Sequence, residues 1–169
     1  LGDSAKDKIL RYVPHGINED VFFPVTEFMK EANEKLEAQK KEIFGTFNPE
    51  FVLLYNARNI RRKSTSDLIA AYSVFCDMIG KEAAKKCAFI LHTEVADENG
   101  TDLSVVRDLL CDPEYQKVYF HAHKLPPDGM NILYNLADAT ALISSNEGWG
   151  LSLTESMMAG KMIIANVTG

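Results

Sequence analysis

Two glutamates and two glycines follow an apolar run near the end of the sequence. Glu147 comes immediately before Gly148, Trp149 and Gly150, and Glu155 follows within the next predicted helix. Glycine lets the backbone approach a ligand closely and adopt a positive φ. A helix beginning at Leu151 would direct free amides and the positive end of its dipole toward a bound phosphate or ring of hydroxyls. The segment therefore indicates a binding loop in which one carboxylate can reach a sugar and the other a ribose.

The glutamate spacing alone is not diagnostic, since it recurs at Glu19/Glu27 and Glu34/Glu42. The context distinguishes the later pair: an apolar strand precedes it, and Gly160 and a second buried strand follow it. Trp149, the only tryptophan, is either a packing residue or a wall of the pocket.

A second candidate loop is strongly basic. Residues 58–63 read Arg-Asn-Ile-Arg-Arg-Lys and follow the apolar run 51–55, in a chain whose net charge is −6. Arginine offers a fixed fork of donors and lysine a mobile point charge, so the loop suits an anion such as a diphosphate. A solvated basic turn is the alternative, and the segment alone leaves both open.

A third loop carries His121, His123 and Lys124. Two histidines two positions apart are compatible with a metal ion, but no nearby cysteine or carboxylate completes a site, and we expect none. Polar residues at a strand exit are the favoured interpretation, with a base-contacting loop left open. The sequence contains no dinucleotide-binding glycine motif, Walker loop or nucleophile elbow, which argues against a dehydrogenase, an NTPase and a hydrolase.

The elements that position these loops follow from the apolar pattern. Short apolar runs alternate with helical stripes, which predicts a parallel, doubly wound α/β sheet. We predict strands at 51–55, 87–91, 118–120, 139–143 and 162–165, with helices near 64–80, 103–110, 128–137 and 151–159. Ser64 with Asp67 resembles a capping box, and Asp128 is a candidate N-cap. Ligands of such sheets bind beyond the carboxyl ends of the strands, where all three loops lie.

The domain plan and composition give further expectations. We predict an inter-domain segment at 1–25, a linking helix at 26–44 and a Rossmann-like domain at 45–169. The negative net charge argues against a nucleic-acid partner. Cys76, Cys87 and Cys111 have no metal-ligand spacing and predict buried, reduced thiols, so we interpret two glycosylation sequons as chance matches and expect a cytoplasmic location. No apolar run reaches the roughly 20 residues of a membrane span, and no signal peptide is recognisable.

The chain resembles the retaining group 1 (family 4) glycosyltransferases, which have two facing Rossmann-like domains (the GT-B architecture). The likeness rests on residues 146–151, 155–160 and 162–165, on Arg58 and Lys63 as an Arg-x4-Lys pair, and on residues 13–18 with 22–24 as an inter-domain motif. It spans nearly the whole chain and identifies the C-terminal, donor-binding half. Trp149 stands where phenylalanine or tyrosine is common.

The resemblance implies a role for each matched residue. Arg58 and Lys63 would hold the donor diphosphate and neutralise the leaving group, and Glu147 would contact the transferred sugar. The remaining implied donor-binding residues are Gly148, Trp149 and Gly150 beside the sugar, Leu151 and Ser152 with amides toward a phosphate, Glu155 on the ribose, and Thr93 and Lys124 on the base or diphosphate side.

The implied activity is transfer of a hexose from a UDP- or GDP-sugar, with retention and without a metal ion or other cofactor. The acceptor, whether glycan, lipid or protein, stays open. The family's N-terminal acceptor domain and the elements usual after Gly169 are missing, so we expect the chain to be a piece of a longer protein that alone binds donor weakly and transfers nothing. The alternatives are a non-catalytic nucleotide-sugar-binding module and a GT-B epimerase or phosphorylase.

Overall fold

The computed structural model describes residues 8, 9 and 11–168 and has one sheet of five parallel strands. The strands are β1 Phe51–Asn56, β2 Cys87–His92, β3 Lys117–Phe120, β4 Ala139–Leu142 and β5 Met162–Ala165. The helices are α1 Lys30–Phe44, α2 Thr65–Ile79, α3 Lys81–Ala84, α4 Leu103–Leu110, α5 Pro127–Leu136 and α6 Leu151–Met158. The predicted Rossmann-like α/β fold is confirmed.

The strand order β3-β2-β1-β4-β5 makes the sheet doubly wound. From β1 the chain moves outward through β2 to β3, then crosses back to place β4 on the other side of β1. Helices α2 and α4 contact each other, while α5 contacts both α1 and α6. The order reverses between β1 and β4, and a sheet of this kind has its binding crevice at that switch point.

Both faces of the central strand are buried, which explains its continuous apolar run. Leu53 and Tyr55 belong to the core cluster that contains α2. Val52 and Leu54 belong to the opposite cluster, which contains Phe44 of α1 and residues of α5. The three cysteines lie buried as free thiols, as their sequence context predicted.

The first helix differs from its prediction in extent and role. It begins at Lys30 instead of residue 26, after Met29, which makes no side-chain cap. It also packs on α5 through the core that includes Phe44, so it covers one face of the sheet as well as linking segments. Before α1 in the sequence, the described part of the predicted inter-domain segment lies against α5: Asn131 Oδ1 accepts a hydrogen bond from the Phe23 amide at 3.1 Å.

Two predicted helix caps are wrong. Ser64 precedes α2 but adopts a left-handed conformation, φ 51° and ψ 38°, and its side chain makes no cap, because a 3-10 turn at Arg61–Lys63 leads into the helix. Asp128 lies inside the first turn of α5, whose N-cap is Pro126. Pro127 explains the earlier start, since proline is pre-organised for the first helical position.

The last strand is more exposed than its apolar sequence predicted. Met162 is 73% exposed and Ile164 49% exposed, because β5 is an edge strand that pairs only with β4 in the described sheet. Among the described residues, no helix has the length and apolar character needed to cross a bilayer.

Candidate functional site

A groove of about 610 Å³ opens at the carboxyl ends of β1 and β4, where the topology placed it. Its lining brings together nine of the predicted residues: Arg58, Lys63, Glu147, Gly148, Trp149, Gly150, Leu151, Ser152 and Glu155. The sequence-distant basic loop and glutamate loop therefore form one site. We call this cavity the donor groove, after the donor-binding role predicted for these residues.

The loop after β4 has the backbone conformation that its glycines predicted. Gly150 is the N-cap of α6 with φ 81°, which a residue with a Cβ rarely adopts. A Cβ built on Gly148 would meet no atom within 4 Å, so the backbone there is open toward a ligand. In the first turn of α6, Leu153 and Thr154 donate to the Gly150 carbonyl. The amides of Leu151 and Ser152 precede the first helical hydrogen bonds, which leaves them for an anion.

Lys63 and Glu147 are bonded directly to each other. The lysine Nζ donates to Glu147 Oε1, and Arg62 Nη1 lies 3.4 Å from the same oxygen. Burial acts to raise the pKa of Glu147, but the hydrogen bond and charge of Lys63 and the charge of Arg62 bring it below its usual value. Glu147 is therefore an ionised acceptor at neutral pH, beside two cations.

Arg58 is turned toward a carboxylate that sequence analysis missed. Its Nε donates to Asp97 Oδ2 at 2.7 Å and its Nη2 to Oδ1 at 3.3 Å. The Asp97 side chain is only 2% exposed, whereas that of Arg58 is 60% exposed. The hydrogen bond from Arg58 lowers the pKa of Asp97. The guanidinium is thus fixed at the edge of the donor groove with its outer surface open.

The loop that carries Asp97 is fastened to the basic loop. The buried Asn59 donates to the Thr101 carbonyl at 2.6 Å, and the Arg61 amide donates to Asn99 O at 3.0 Å. A Cβ on Gly100 would overlap the carbonyl of Asn59. Only glycine permits so close an approach, so Gly100 and Asn59 set where the Arg58–Asp97 pair lies.

Glu155 reaches the donor groove from the second turn of α6. Its Oε2 accepts a hydrogen bond from the Tyr134 hydroxyl at 2.6 Å. Burial raises the pKa of Glu155, and the bond from Tyr134 opposes that shift. Tyr134 lies on α5, and nothing beside it in the sequence marked its hydroxyl as part of a site.

The predicted residues Thr93 and Lys124 do not line the donor groove. They line a second cavity of about 210 Å³, which shares Asn56, Ala57 and Arg58 with the groove and is therefore continuous with it at Arg58. Thr93 is 8% exposed, and its hydroxyl has no hydrogen-bond partner among the described residues. The hydroxyl oxygen is itself buried, so the structure does not present it to the groove.

Two histidines form a close pair in this second cavity. His92 Nδ1 lies 2.8 Å from His121 Nδ1 and 3.0 Å from the His121 carbonyl oxygen. A carbonyl oxygen only accepts, so His92 Nδ1 carries the proton. Burial, followed by the charge of His121, lowers the pKa of His92 to about 4, and burial lowers that of His121 as well. Both rings are therefore neutral at physiological pH.

In the part of the chain that the structure describes, no group of three histidine, cysteine or acidic side chains is arranged to hold a metal ion.

A larger cavity, about 680 Å³, lies between α1 and α5 and shares no lining residue with the donor groove. Its charged residues are partly paired: Lys35 Nζ lies 3.1 Å from Glu31 and 3.8 Å from Asp128.

Several groove residues escaped sequence analysis. Asn56 ends β1 and lines both cavities, and its place directly after an apolar run was the signal that could have revealed it. His15 lies in the predicted inter-domain motif, and its ring centroid is 5.4 Å from that of Trp149. Asp97 offered no signal, because only the folded loop brings it to Arg58.

Comparison with known proteins agrees with the fold. The family model "Glycosyl transferases group 1" matches residues 36–169. The chain therefore belongs to the group 1 glycosyltransferase family. None of the curated proteins compared with the chain matches it.

Solved structures show where the chain lies within the GT-B architecture. The C-terminal domain of the group 1 glycosyltransferase LpcC from Francisella tularensis superposes with a TM-score of 0.67 and 18% identity, over 89% of this chain and 70% of that one. HepE from Anabaena in complex with UDP-glucose superposes with a TM-score of 0.67 and 18% identity, and the match covers 91% of this chain and 37% of HepE. Sucrose-phosphate synthase from Thermosynechococcus elongatus superposes with a TM-score of 0.63 and 24% identity, and the match covers 94% of this chain and 35% of the synthase. The chain thus has the fold of a C-terminal GT-B domain and spans little more than a third of the latter two proteins.

Proposed function

We propose that this chain is the donor-binding domain of a hexosyltransferase that uses a UDP- or GDP-sugar and retains the anomeric configuration. The observation that carries the proposal is the donor groove itself. Cations from the loop after β1, a glycine-capped helix N-terminus and two carboxylates converge there at the topological switch point. Family membership and the UDP-glucose held by the HepE relative support this class of donor.

The groove offers separate groups for each part of such a donor. The amides that begin α6 and the cations Arg58 and Lys63 suit the diphosphate, whose charge grows as the sugar leaves. Glu147 lies beside Lys63 and suits hydroxyls of the transferred sugar. Glu155, in the second turn of α6, suits the ribose. Fixed donors and cations of this kind stabilise a leaving group without reorganising during the reaction.

The proposal assigns no metal ion to the diphosphate. Lysine and arginine charges together with a helix N-terminus can neutralise a leaving diphosphate. The proposed enzyme therefore keeps its activity in the presence of a chelator. We propose that a second domain supplies the acceptor site and the rest of the active-site cleft, and that this chain alone is inactive.

The test is release of UDP or GDP from UDP- and GDP-hexoses by the complete protein, in EDTA, with candidate acceptors. Glu147→Gln and Lys63→Met should each lower the rate by about a hundredfold, the usual loss when one charged transition-state contact is removed. Glu37→Gln on the exposed side of α1 is the control and should leave the rate unchanged. NMR of the product should show the donor's anomeric configuration.

Two results would overturn the proposal. One is inversion of configuration, which contradicts the retaining mechanism. The other is binding of a nucleotide sugar with no transfer to any acceptor class and no effect of Glu147→Gln, which indicates a non-catalytic binding module.

A further inference from the structure

A buried tyrosine connects the central strand of the sheet to the carboxylate in the donor groove. Tyr134 on α5 is fully buried, and its hydroxyl lies between two side chains that line the groove. Asn56 Nδ2 is 2.7 Å from that hydroxyl on one side, and Glu155 Oε2 is 2.6 Å from it on the other. The three residues come from β1, α5 and α6, so the sequence gives no hint of their contact.

The chemistry of the three groups fixes the direction of both hydrogen bonds. An amide nitrogen only donates, so Asn56 donates to the Tyr134 oxygen. The single tyrosine proton is then free to point at Glu155, and an ionised carboxylate is the matching acceptor. Burial, followed by the Glu155 carboxylate, raises the pKa of Tyr134, so the phenol stays protonated and keeps donating.

This arrangement engages only one oxygen of Glu155. Oε2 is held by the tyrosine, whose ring is fixed in the core cluster with Leu54 and Leu133. Oε1 is left as an acceptor of known orientation on a side chain that lines the donor groove. A vicinal diol that presents two hydroxyl donors is the ligand group suited to such an oriented carboxylate.

We propose that Tyr134 and Asn56 are positioning residues that hold Glu155 in one ionised orientation for the ribose diol of the donor. This inference rests on the proposed function. Because the tyrosine proton favours an ionised acceptor, the hydrogen bond from Tyr134 offsets part of the energetic cost that burial places on the Glu155 charge. Recognition of ribose therefore depends on a hydroxyl that touches no ligand.

The experiment compares UDP and 2′,3′-dideoxy-UDP binding by calorimetry to the complete protein and to Tyr134→Phe, with the GDP pair tested in parallel. The variant should bind the ribonucleotide about tenfold more weakly. It should bind the dideoxynucleotide as the wild type does, because that ligand has no diol. Lowering the pH should weaken ribonucleotide binding in both proteins. In Tyr134→Phe this loss should begin at a higher pH than in the wild type, because Glu155 has lost the proton donor that keeps it ionised.

Tyr115→Phe is the matched control. Tyr115 is also buried, and its hydroxyl donates to Asp77 at 2.7 Å on a part of the chain that does not line the groove. Tyr115→Phe also removes a hydrogen bond from a buried tyrosine to a carboxylate, so both variants should lose similar stability. Tyr115→Phe should nevertheless leave the affinities for the ribonucleotide and the dideoxynucleotide unchanged.

The possible outcomes separate the two proposals. Ribonucleotide binding that Tyr134→Phe leaves unchanged, or weakens equally for the dideoxynucleotide, overturns the positioning role while the donor groove stands. A further loss when Tyr134→Phe is added to Glu155→Gln also contradicts it, because the tyrosine would then act by another route. No binding of any nucleotide by the wild-type protein overturns the proposed function and this inference with it.

Discussion

Lys63 and Glu147 form an ion pair across the donor groove, although 84 positions separate them in the sequence. Each was predicted as a separate contact to the donor, the lysine to the diphosphate and the glutamate to the sugar. The structure joins them, and their bond ties the loop after β1 to the loop after β4. In the proposed function, a bound diphosphate would share Lys63 with Glu147.

The first prediction concerns this lysine. Lys63→Met should weaken UDP or GDP binding by about 1.5–3 kcal/mol, the usual contribution of a charged hydrogen bond, which is roughly 10- to 100-fold in affinity. Calorimetry measures the change.

Arg61→Met is its control, because Arg61 is an exposed cation in the same basic loop that does not line the groove. It should change affinity far less than Lys63→Met. Equal losses would mean that the loop acts through its overall charge and that Lys63 makes no specific contact.

The second prediction separates stability from binding at Glu155. Burial raises the pKa of this carboxyl in the folded chain. Its ionisation therefore costs stability: the folded state is favoured below the ordinary pKa of 4.5, and this advantage is lost as pH rises through the raised value.

Glu155→Gln removes that cost, so it should raise the Tm at pH 7 while weakening ribonucleotide binding. We expect a rise of at most a few degrees for a chain of this size. The gain should disappear at pH 4, where the wild-type carboxyl is protonated. A lower Tm at pH 7 would contradict the assignment of Glu155 as a destabilising binding residue.

The third prediction concerns pH and the histidine pair. Folding lowers the pKa of His92 from 6.5 to about 4. A group whose pKa is lowered in this way stabilises the fold above 6.5 and loses that contribution as pH falls toward 4. The largest contribution consistent with this change is about 3 kcal/mol.

His92→Gln should therefore lose less stability than the wild type between pH 7.5 and pH 4.5, as measured by urea unfolding at both values. His15→Gln, at an exposed histidine, serves as the control and should follow the wild-type pH profile. Identical profiles for the wild type and His92→Gln would show that another group controls acid sensitivity.

The fourth prediction tests the contact between the two loops. Gly100→Ala places a methyl group against the Asn59 carbonyl and must displace the loop that carries Asp97. Overpacking of this kind costs about 1–3 kcal/mol of stability, and Arg58 loses its fixed orientation. Nucleotide affinity should fall as well. Gly16→Ala is the control, because a Cβ there would meet nothing within 4 Å. A Gly100→Ala variant with wild-type Tm would show that the loop adapts without strain.

The fold was predictable because its signal is local. The apolar runs of the five strands and the helical stripes between them lie within short windows, and the strand-to-helix loops follow from the topology. The two predicted helix caps were wrong because neighbouring residues decide where each helix begins. A 3-10 turn precedes Ser64, and Pro127 starts α5 before Asp128.

The site was predictable where a loop motif carries it and not where the tertiary structure completes it. Glu147, Gly150 and Lys63 stand in short segments of unusual composition. Asp97 and Tyr134 act through side chains that meet partners from other elements, and nothing beside them in the sequence marks that role. The apolar composition of β5 also predicted a buried strand, but its apolar residues lie exposed at a sheet edge.

The most direct test of the central claim is a calorimetric titration of the complete protein with UDP and GDP in the presence of EDTA. The account predicts saturable binding of at least one of them, with one site per chain, that both Lys63→Met and Glu155→Ala weaken. Binding that neither substitution changes would place the nucleotide elsewhere. No binding of either diphosphate would contradict the assignment of the groove between β1 and β4 as a donor site.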